Sequence, residues 1–141
     1  VQGITSSREA KLVLLSDPVV RGTMDLFGRL TLAIVGIGAV EPSELLARSG
    51  NVFSRQEMAM LHEAGAVGEI SYRFFDRNGQ QVETPLNDRV IGISLDDLRK
   101  ADRVMALAGG ASKTEAIAGA LRLGVIDVLV TDKFTAARLT A

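Results

Sequence analysis

Two kinds of hydrophobic pattern alternate along the chain. Near-continuous apolar runs, Thr31-Leu-Ala-Ile-Val-Gly-Ile-Gly38, Val104 to Ala108 and Val125 to Val130, predict strands, the first of them buried on both faces of a sheet. Around them, apolar residues recur at helical spacing. Residues 7–15 read as a short helix with leucines on one face. Ser16-Asp17-Pro18 restarts a helix that runs to about Gly28-Arg29, with Pro18 in the first turn where a missing N–H costs little. A loop from Ala39 leads into a short helix ahead of Gly50. Ser54-Arg-Gln-Glu57 has the residues of a capping box, and the helix it opens stops at Gly65. Glu69 to Asp76 reads as a strand that ends in the tight turn Asp76-Arg-Asn-Gly79, with Gln80 to Glu83 as its return. Arg89 to Ser94 is a further strand candidate, and Asp96-Asp97 open a short helix to about Lys100. Thr114 to Leu123 is a helix between Gly109-Gly110 and Gly124, and a last helix, Thr135 to Thr140, is entered through Thr131-Asp132.

Strand, glycine turn, helix, glycine cap and strand in succession make residues 104–130 a βαβ unit. Helices and apolar strands joined by short connections make the class α/β, with a mainly parallel sheet, helices on both faces and a single domain. Two strands end in glycine, at Gly36-Ile37-Gly38 and at Gly109-Gly110. In a parallel sheet these turns share the edge where ligands bind. Each has two readings: a cradle of backbone N–H groups for an anionic or hydroxylated ligand, or a tight turn that needs glycine. Neither matches a Rossmann or P-loop glycine pattern, so nucleotide binding is not indicated. Lys113 stands at the mouth of the helix after Gly110, where the macrodipole disfavours a cation unless it meets an anion; the bland alternative is a solvated surface lysine. Asp76 could accept hydrogen bonds from sugar hydroxyls or make an Asx-turn over Arg77-Asn78. Thr131 and Asp132 have the position of a helix cap, and the lone His62 has no catalytic partner beyond Glu63.

Composition narrows the classes further. Hydrophobic residues make up 47% of the 141, which argues against disorder. Aromatics at 4% and a net charge of −1 argue against a surface that binds nucleic acid by itself. There are no cysteines and one histidine, which removes thiolate chemistry and a histidine-rich metal site. No apolar run approaches the ~18 residues of a transmembrane helix, and the N-terminus has no signal-peptide pattern. No nucleophile–base pair, metal cluster or cofactor motif is present.

Three stretches together resemble a known family: Leu32-Ala-Ile-Val-Gly-Ile-Gly38; Gly65-Ala-Val-Gly-Glu-Ile with Arg73-Phe-Phe-Asp76-Arg-Asn-Gly79; and Ala108-Gly-Gly-Ala-Ser-Lys113 with Gly119-Ala-Leu-Arg122 and Leu129-Val-Thr-Asp132. Their order and spacing are similar to the SorC-type sugar-binding domain, the C-terminal effector-binding part of bacterial transcriptional regulators. The resemblance implies a fold like that of the phosphosugar isomerases and CoA-transferases. It implies a phosphorylated sugar or related metabolite as effector, no cofactor, a cytoplasmic homo-oligomer, and operator DNA bound only through a helix-turn-helix domain absent from this chain. Carried onto these residues, Asp76 would hold ligand hydroxyls, Lys113 the phosphate, and Gly36, Gly38, Gly109 and Gly110 would line the same edge. The family's first sugar-domain segment, with another phosphate loop, is also expected to lie outside a chain that starts at Val1, and Lys133 departs from the acidic residue frequent there. The rival expectation is a phosphosugar isomerase on the same fold, which needs a carboxylate base at the glycine-lined edge; Asp76 and Glu41 are its candidates.

Overall fold

Residues 3–41 and 53–141 are described by the structure, a computed structural model. The helix expected ahead of Gly50 lies outside them. Two helices, α1 (Arg8–Ser16) and α2 (Pro18–Asp25), lead through a 3-10 turn at Phe27–Arg29 into strands β1 (Leu32–Gly36) and β2 (Gly38–Ala39). Helix α3 (Arg55–Glu63) precedes the strands β3 (Ala66–Ile70) and β4 (Arg73–Asp76). A 3-10 helix at Pro85–Arg89 and helix α4 (Leu95–Lys100) bring the chain to β5 (Arg103–Leu107). A 3-10 turn at Ala111–Lys113, helix α5 (Thr114–Arg122), β6 (Val128–Val130) and α6 (Lys133–Leu139) complete it.

The strands form two sheets. One is parallel, in the order β1-β5-β6, and the other antiparallel, β2-β3-β4. The single apolar run at residues 31–38 therefore divides. Leu32 to Gly36 pair with Arg103 to Leu107, whereas Gly38 and Ala39 pair with Glu69 and Gly68 of the other sheet. Ile37, 1% exposed, is the pivot between them. The expected βαβ unit is present as β5-α5-β6, and Gly124 ends its helix at φ +71°.

Side chains sort by face. Ala33, Val104 and Ala106 point into the main core with Ile70, Phe75, Leu98 and Ile117, while Leu32, Ile34, Leu107 and Val130 on the other face stay between 48% and 63% exposed. The expectation of burial on both faces thus holds for one face only. A second cluster of Val40, Leu61, Ala66, Phe74, Val82 and Leu86 lies behind the antiparallel sheet.

Helix α5 seats on the antiparallel sheet because small residues let it approach. A Cβ at Gly119 would lie 2.9 Å from the Asp76 carbonyl oxygen, and one at Gly68 would lie 2.8 Å from the Ala116 Cβ. Caps fall where the sequence puts them. Ser54 and Glu57 complete a reciprocal capping box, and Asp132 caps α6 through the Phe134 and Thr135 N–H groups. Two expectations differ. Arg89 to Ser94 is no strand: the 3-10 helix that Thr84, Pro85 and Asn87 open ends at Arg89, and beyond it only Val90 makes an isolated bridge, to Ile4. Glu69 to Asp76 is not one strand but a hairpin, folded at Ser71-Tyr72.

Candidate functional site

The site is built where the two sheets meet. Strand β1 delivers Gly36 to its carboxyl end, the chain turns at Ile37, and Gly38 begins β2. Beside Gly38 lies Glu69 of β3, paired with it across the antiparallel ladder. From the other side, the 3-10 turn ahead of α5 brings Lys113. Gly36, Gly38, Glu69, Tyr72 and Lys113 all line one open cavity of about 610 Å³, with Ser112 and Glu41 among its other lining residues. That volume suits a small metabolite.

Three ionisable side chains line this space, Glu41, Glu69 and Lys113, so the structure places Glu41 of the expected carboxylate candidates at the cavity and Asp76 outside it. Lys113 donates a hydrogen bond from Nζ to the Ile37 carbonyl oxygen at 3.0 Å, which ties the mouth of α5 to the pivot between the sheets. It has no carboxylate partner within ion-pair distance among the described residues. Glu69 accepts the Tyr72 N–H at 2.7 Å through Oε2. Burial pushes the Glu69 carboxyl above its ordinary pKa, against the opposing pull of the Tyr72 N–H and the Lys113 charge. An acceptor carboxylate and a donor ammonium on one cavity can read a ligand that carries both hydroxyls and an anionic group.

The hairpin turn that holds Glu69 is strained. Ser71 and Tyr72 have φ of +53° and +61°, and they are the only non-glycine residues with positive φ among those described. Each costs roughly 1–2 kcal/mol over a glycine in that conformation. Such outliers collect at ligand sites, where the surrounding structure enforces them. Here the turn puts the Tyr72 N–H on the Glu69 carboxylate.

The other expected residues lie elsewhere. Gly109 and Gly110 do not line the cavity. The Gly110 N–H donates to the Asp132 carboxylate at 3.0 Å and to the Thr135 hydroxyl at 2.8 Å, so the turn already holds an anion of the protein's own. Asp132 also accepts the Phe134 N–H, the Thr135 N–H and the Thr135 hydroxyl. These bonds, the Thr135 hydroxyl first, lower its pKa to about 2. Asp76 spends its carboxylate on the Asn78 and Gln80 N–H groups at 2.9 and 2.8 Å, the Asx-turn alternative, and stands outside the cavity lining. Gly36, Gly38 and Lys113 are thus brought together, while Asp76, Gly109 and Gly110 are not brought to them. Glu69, which lines the cavity, is not among the residues the sequence singles out. Its signal was a lone charged residue inside the apolar run Ala66-Val-Gly-Glu-Ile70. No group of three or more metal-ligating side chains occurs among the described residues.

Comparison with known proteins fits this geometry. The Sugar-bind family model, which describes a sugar-binding domain, matches residues 2–141. The chain belongs to this family. A deoxyribonucleoside regulator of Bacillus subtilis (strain 168) is 34% identical over 136 residues, which are 96% of this chain and 43% of that protein. The full-length sorbitol operon regulator SorC of Klebsiella pneumoniae superposes with a TM-score of 0.88 at 27% identity, over 99% of this chain and 44% of its own. A domain of a possible sugar-binding transcriptional regulator from Arthrobacter aurescens TC1 gives 0.88 at 27% identity, over 100% of this chain and 54% of its own. The chain therefore spans less than half the length of the curated relative it matches, and these relatives are transcriptional regulators rather than enzymes. The expected resemblance to SorC-type sugar-binding domains and the α/β class both stand. No described helix is long and apolar enough to cross a membrane.

Proposed function

We propose that this chain is the effector-binding part of a cytoplasmic transcriptional regulator, and that its effector is a phosphorylated sugar or a related metabolite bound between Glu69 and Lys113. The observation that carries the reading is the pairing of a buried-side carboxylate and an ammonium on one glycine-lined cavity, in a chain of the sugar-binding family. Lys113 takes the phosphate. Glu69 takes the sugar hydroxyls, the role the sequence offered to Asp76, whose carboxylate is spent in its own turn. Gly38 lets the ligand and the Glu69 side chain come close, since a Cβ there would land on the carboxylate. Operator DNA is reached through a helix-turn-helix domain outside this chain. In a homo-oligomer, the effector shifts DNA affinity by binding one arrangement of the subunits better than another.

Glu69 also supplies what the isomerase alternative requires, a carboxylate of raised proton affinity at the glycine-lined edge. One experiment decides between them. The protein is incubated with a panel of sugar phosphates, its thermal midpoint is followed, and the ligand is recovered for mass spectrometry and NMR. A stabilising sugar phosphate recovered unchanged supports the regulator; an isomerised product overturns it in favour of the enzyme. Lys113→Met should weaken the stabilising sugar phosphate by about 10- to 100-fold, as expected for loss of a charge-assisted hydrogen bond, and leave the unphosphorylated sugar nearly unaffected. Equal weakening of both removes the phosphate from Lys113.

A further inference from the structure

Glu69 holds its charge with little help from the protein around it. Among the described residues, no lysine or arginine nitrogen lies within ion-pair distance of its carboxylate. The Tyr72 N–H on Oε2 is the hydrogen bond these residues give it. Oε1 is turned to the bare backbone of Gly38, where a Cβ would land on it. One carboxylate oxygen is thus left to solvent or ligand at the cavity.

Charged neighbours are few on the elements packed about it. Strand β2 presents Gly38 and Ala39, and Glu41 follows at the cavity. On the hairpin of Glu69 itself, the Tyr72 ring stands edge-on to Phe53, and the Arg73 guanidinium donates to the Ile93 and Gly92 carbonyls. Helix α3, which packs against β3, carries Glu57 in its pair with Arg89, while Arg55, His62 and Glu63 are exposed. On α5, Glu115 pairs with Arg77, and Arg122 donates to the Arg77 carbonyl. Lys113, at the mouth of α5, is the charge that acts on Glu69.

Three influences therefore fix the Glu69 proton. Burial favours the neutral acid, while the Tyr72 N–H and the Lys113 ammonium favour the anion. A phosphate monoester brings a charge of about −1.5 to −2 at pH 7 to that ammonium. The pull of Lys113 on Glu69 is then cancelled, and the ligand displaces water from beside the carboxylate. Both changes favour the neutral acid.

We infer that a phosphorylated effector enters this cavity together with a proton from solvent, which Glu69 takes up as the phosphate settles on Lys113. The inference rests on the sugar-phosphate reading of the cavity. The protonated carboxyl still accepts from a sugar hydroxyl through its carbonyl oxygen, and it gains an O–H to donate. Linkage is reciprocal, so the phosphorylated ligand binds the protonated form more tightly by the same factor. Affinity is full below the free-state pKa of Glu69, falls as pH rises through it, and levels off above the pKa of the complex. A regulator built this way reads effector and acidity together.

Carbon NMR of the Glu69 carboxyl tests it, titrated in pH with and without saturating inorganic phosphate and each sugar phosphate of the panel. With phosphate bound, Glu69 should hold its proton about tenfold more tightly. Lys113→Met should produce a similar rise with no ligand present, because it removes the same pull. Calorimetry between the two midpoints, in buffers of differing ionisation enthalpy, should show wild type taking up more protons on binding than Glu69→Gln. That variant keeps the proton exchange of the phosphate itself, so the difference belongs to Glu69. Phosphate that binds with the Glu69 titration unmoved, or with equal proton uptake in both proteins, overturns the inference and leaves the ligand reading standing. A Glu69 titration that Lys113→Met does not move overturns it as well. Failure of inorganic phosphate and every sugar phosphate to bind removes the ligand reading and the inference with it.

Discussion

Two glycine turns look alike in the sequence and have opposite fates in the fold. At Gly36-Ile37-Gly38 the chain leaves the parallel sheet for the antiparallel one, and the space beside it is a cavity faced by Glu69 and Lys113. At Gly109-Gly110 the corresponding space is filled from within. Asp132, carried by the cap of α6, takes the Gly110 N–H and three further hydrogen bonds. A turn with a bound carboxylate repels a second anion, whereas an ammonium with no carboxylate partner among the described residues attracts one. What distinguishes a ligand cradle from a structural turn is thus the charge brought to it from elsewhere in the chain, not the glycines.

The largest effect of breaking this contrast should be on stability, at the filled turn. Asp132→Ala removes the acceptor of four hydrogen bonds and should lower the thermal midpoint by many degrees, while Glu69 and Lys113 keep their geometry. Because the pKa of Asp132 lies at about 2, below that of an unfolded carboxyl, its ionised form favours the fold. That contribution is fully present above the unfolded value and is lost as pH falls through about 2. A midpoint that stays flat on acidification through that range in wild type would contradict it.

Next in size comes an effect on binding at the open turn. Gly38→Ala places a methyl group on the Glu69 carboxylate. The carboxylate is the free end of a flexible side chain, so the fold survives by moving it off the Tyr72 N–H, and sugar-phosphate affinity should fall by tenfold or more with little change in midpoint. Gly36→Ala is the control. Nothing lies within 4 Å of a Cβ there, and its φ is not in the left-handed region, so calorimetry should find the thermal midpoint near wild type.

A smaller effect concerns pH. The folded-state pKa of Glu69 is raised, the reverse of Asp132. Its contribution is full below the unfolded carboxylate value and is lost as pH rises through the folded one. Glu69→Gln should therefore gain in midpoint relative to wild type as pH rises above the ordinary carboxylate value, yet bind the sugar phosphate more weakly. A constant difference above that value would show that the carboxyl is not perturbed.

The sequence carried local features well where the residue type is nearly obligatory. The Ser54-Glu57 capping box, the Asp76-to-Gly79 turn with Gly79 at φ +76°, and the glycine stop at Gly124 are all present. It was silent where tertiary structure imposes a conformation on unsuited residues. A two-residue hairpin loop favours asparagine and glycine, so Ser71-Tyr72 gave no sign of a turn, and the antiparallel pairing that presents Glu69 was read as one strand. The division of residues 31–38 between two sheets was hidden for the same reason: an apolar run shows burial but not its partner. That Lys113, Gly36 and Gly38 line one cavity was legible because glycine at strand ends and a cation at a helix mouth both break local preferences. Asp76 was legible as polar yet not as already satisfied, since its partners are backbone N–H groups.

The most direct test of the account is an amide NMR titration with a stabilising sugar phosphate. The account predicts that Gly38, Glu69, Tyr72 and Lys113 shift on binding while Gly110, Asp132 and Thr135 stay in place. Shifts confined to Gly110, Asp132 and Thr135, with Gly38 and Tyr72 unmoved, would contradict it.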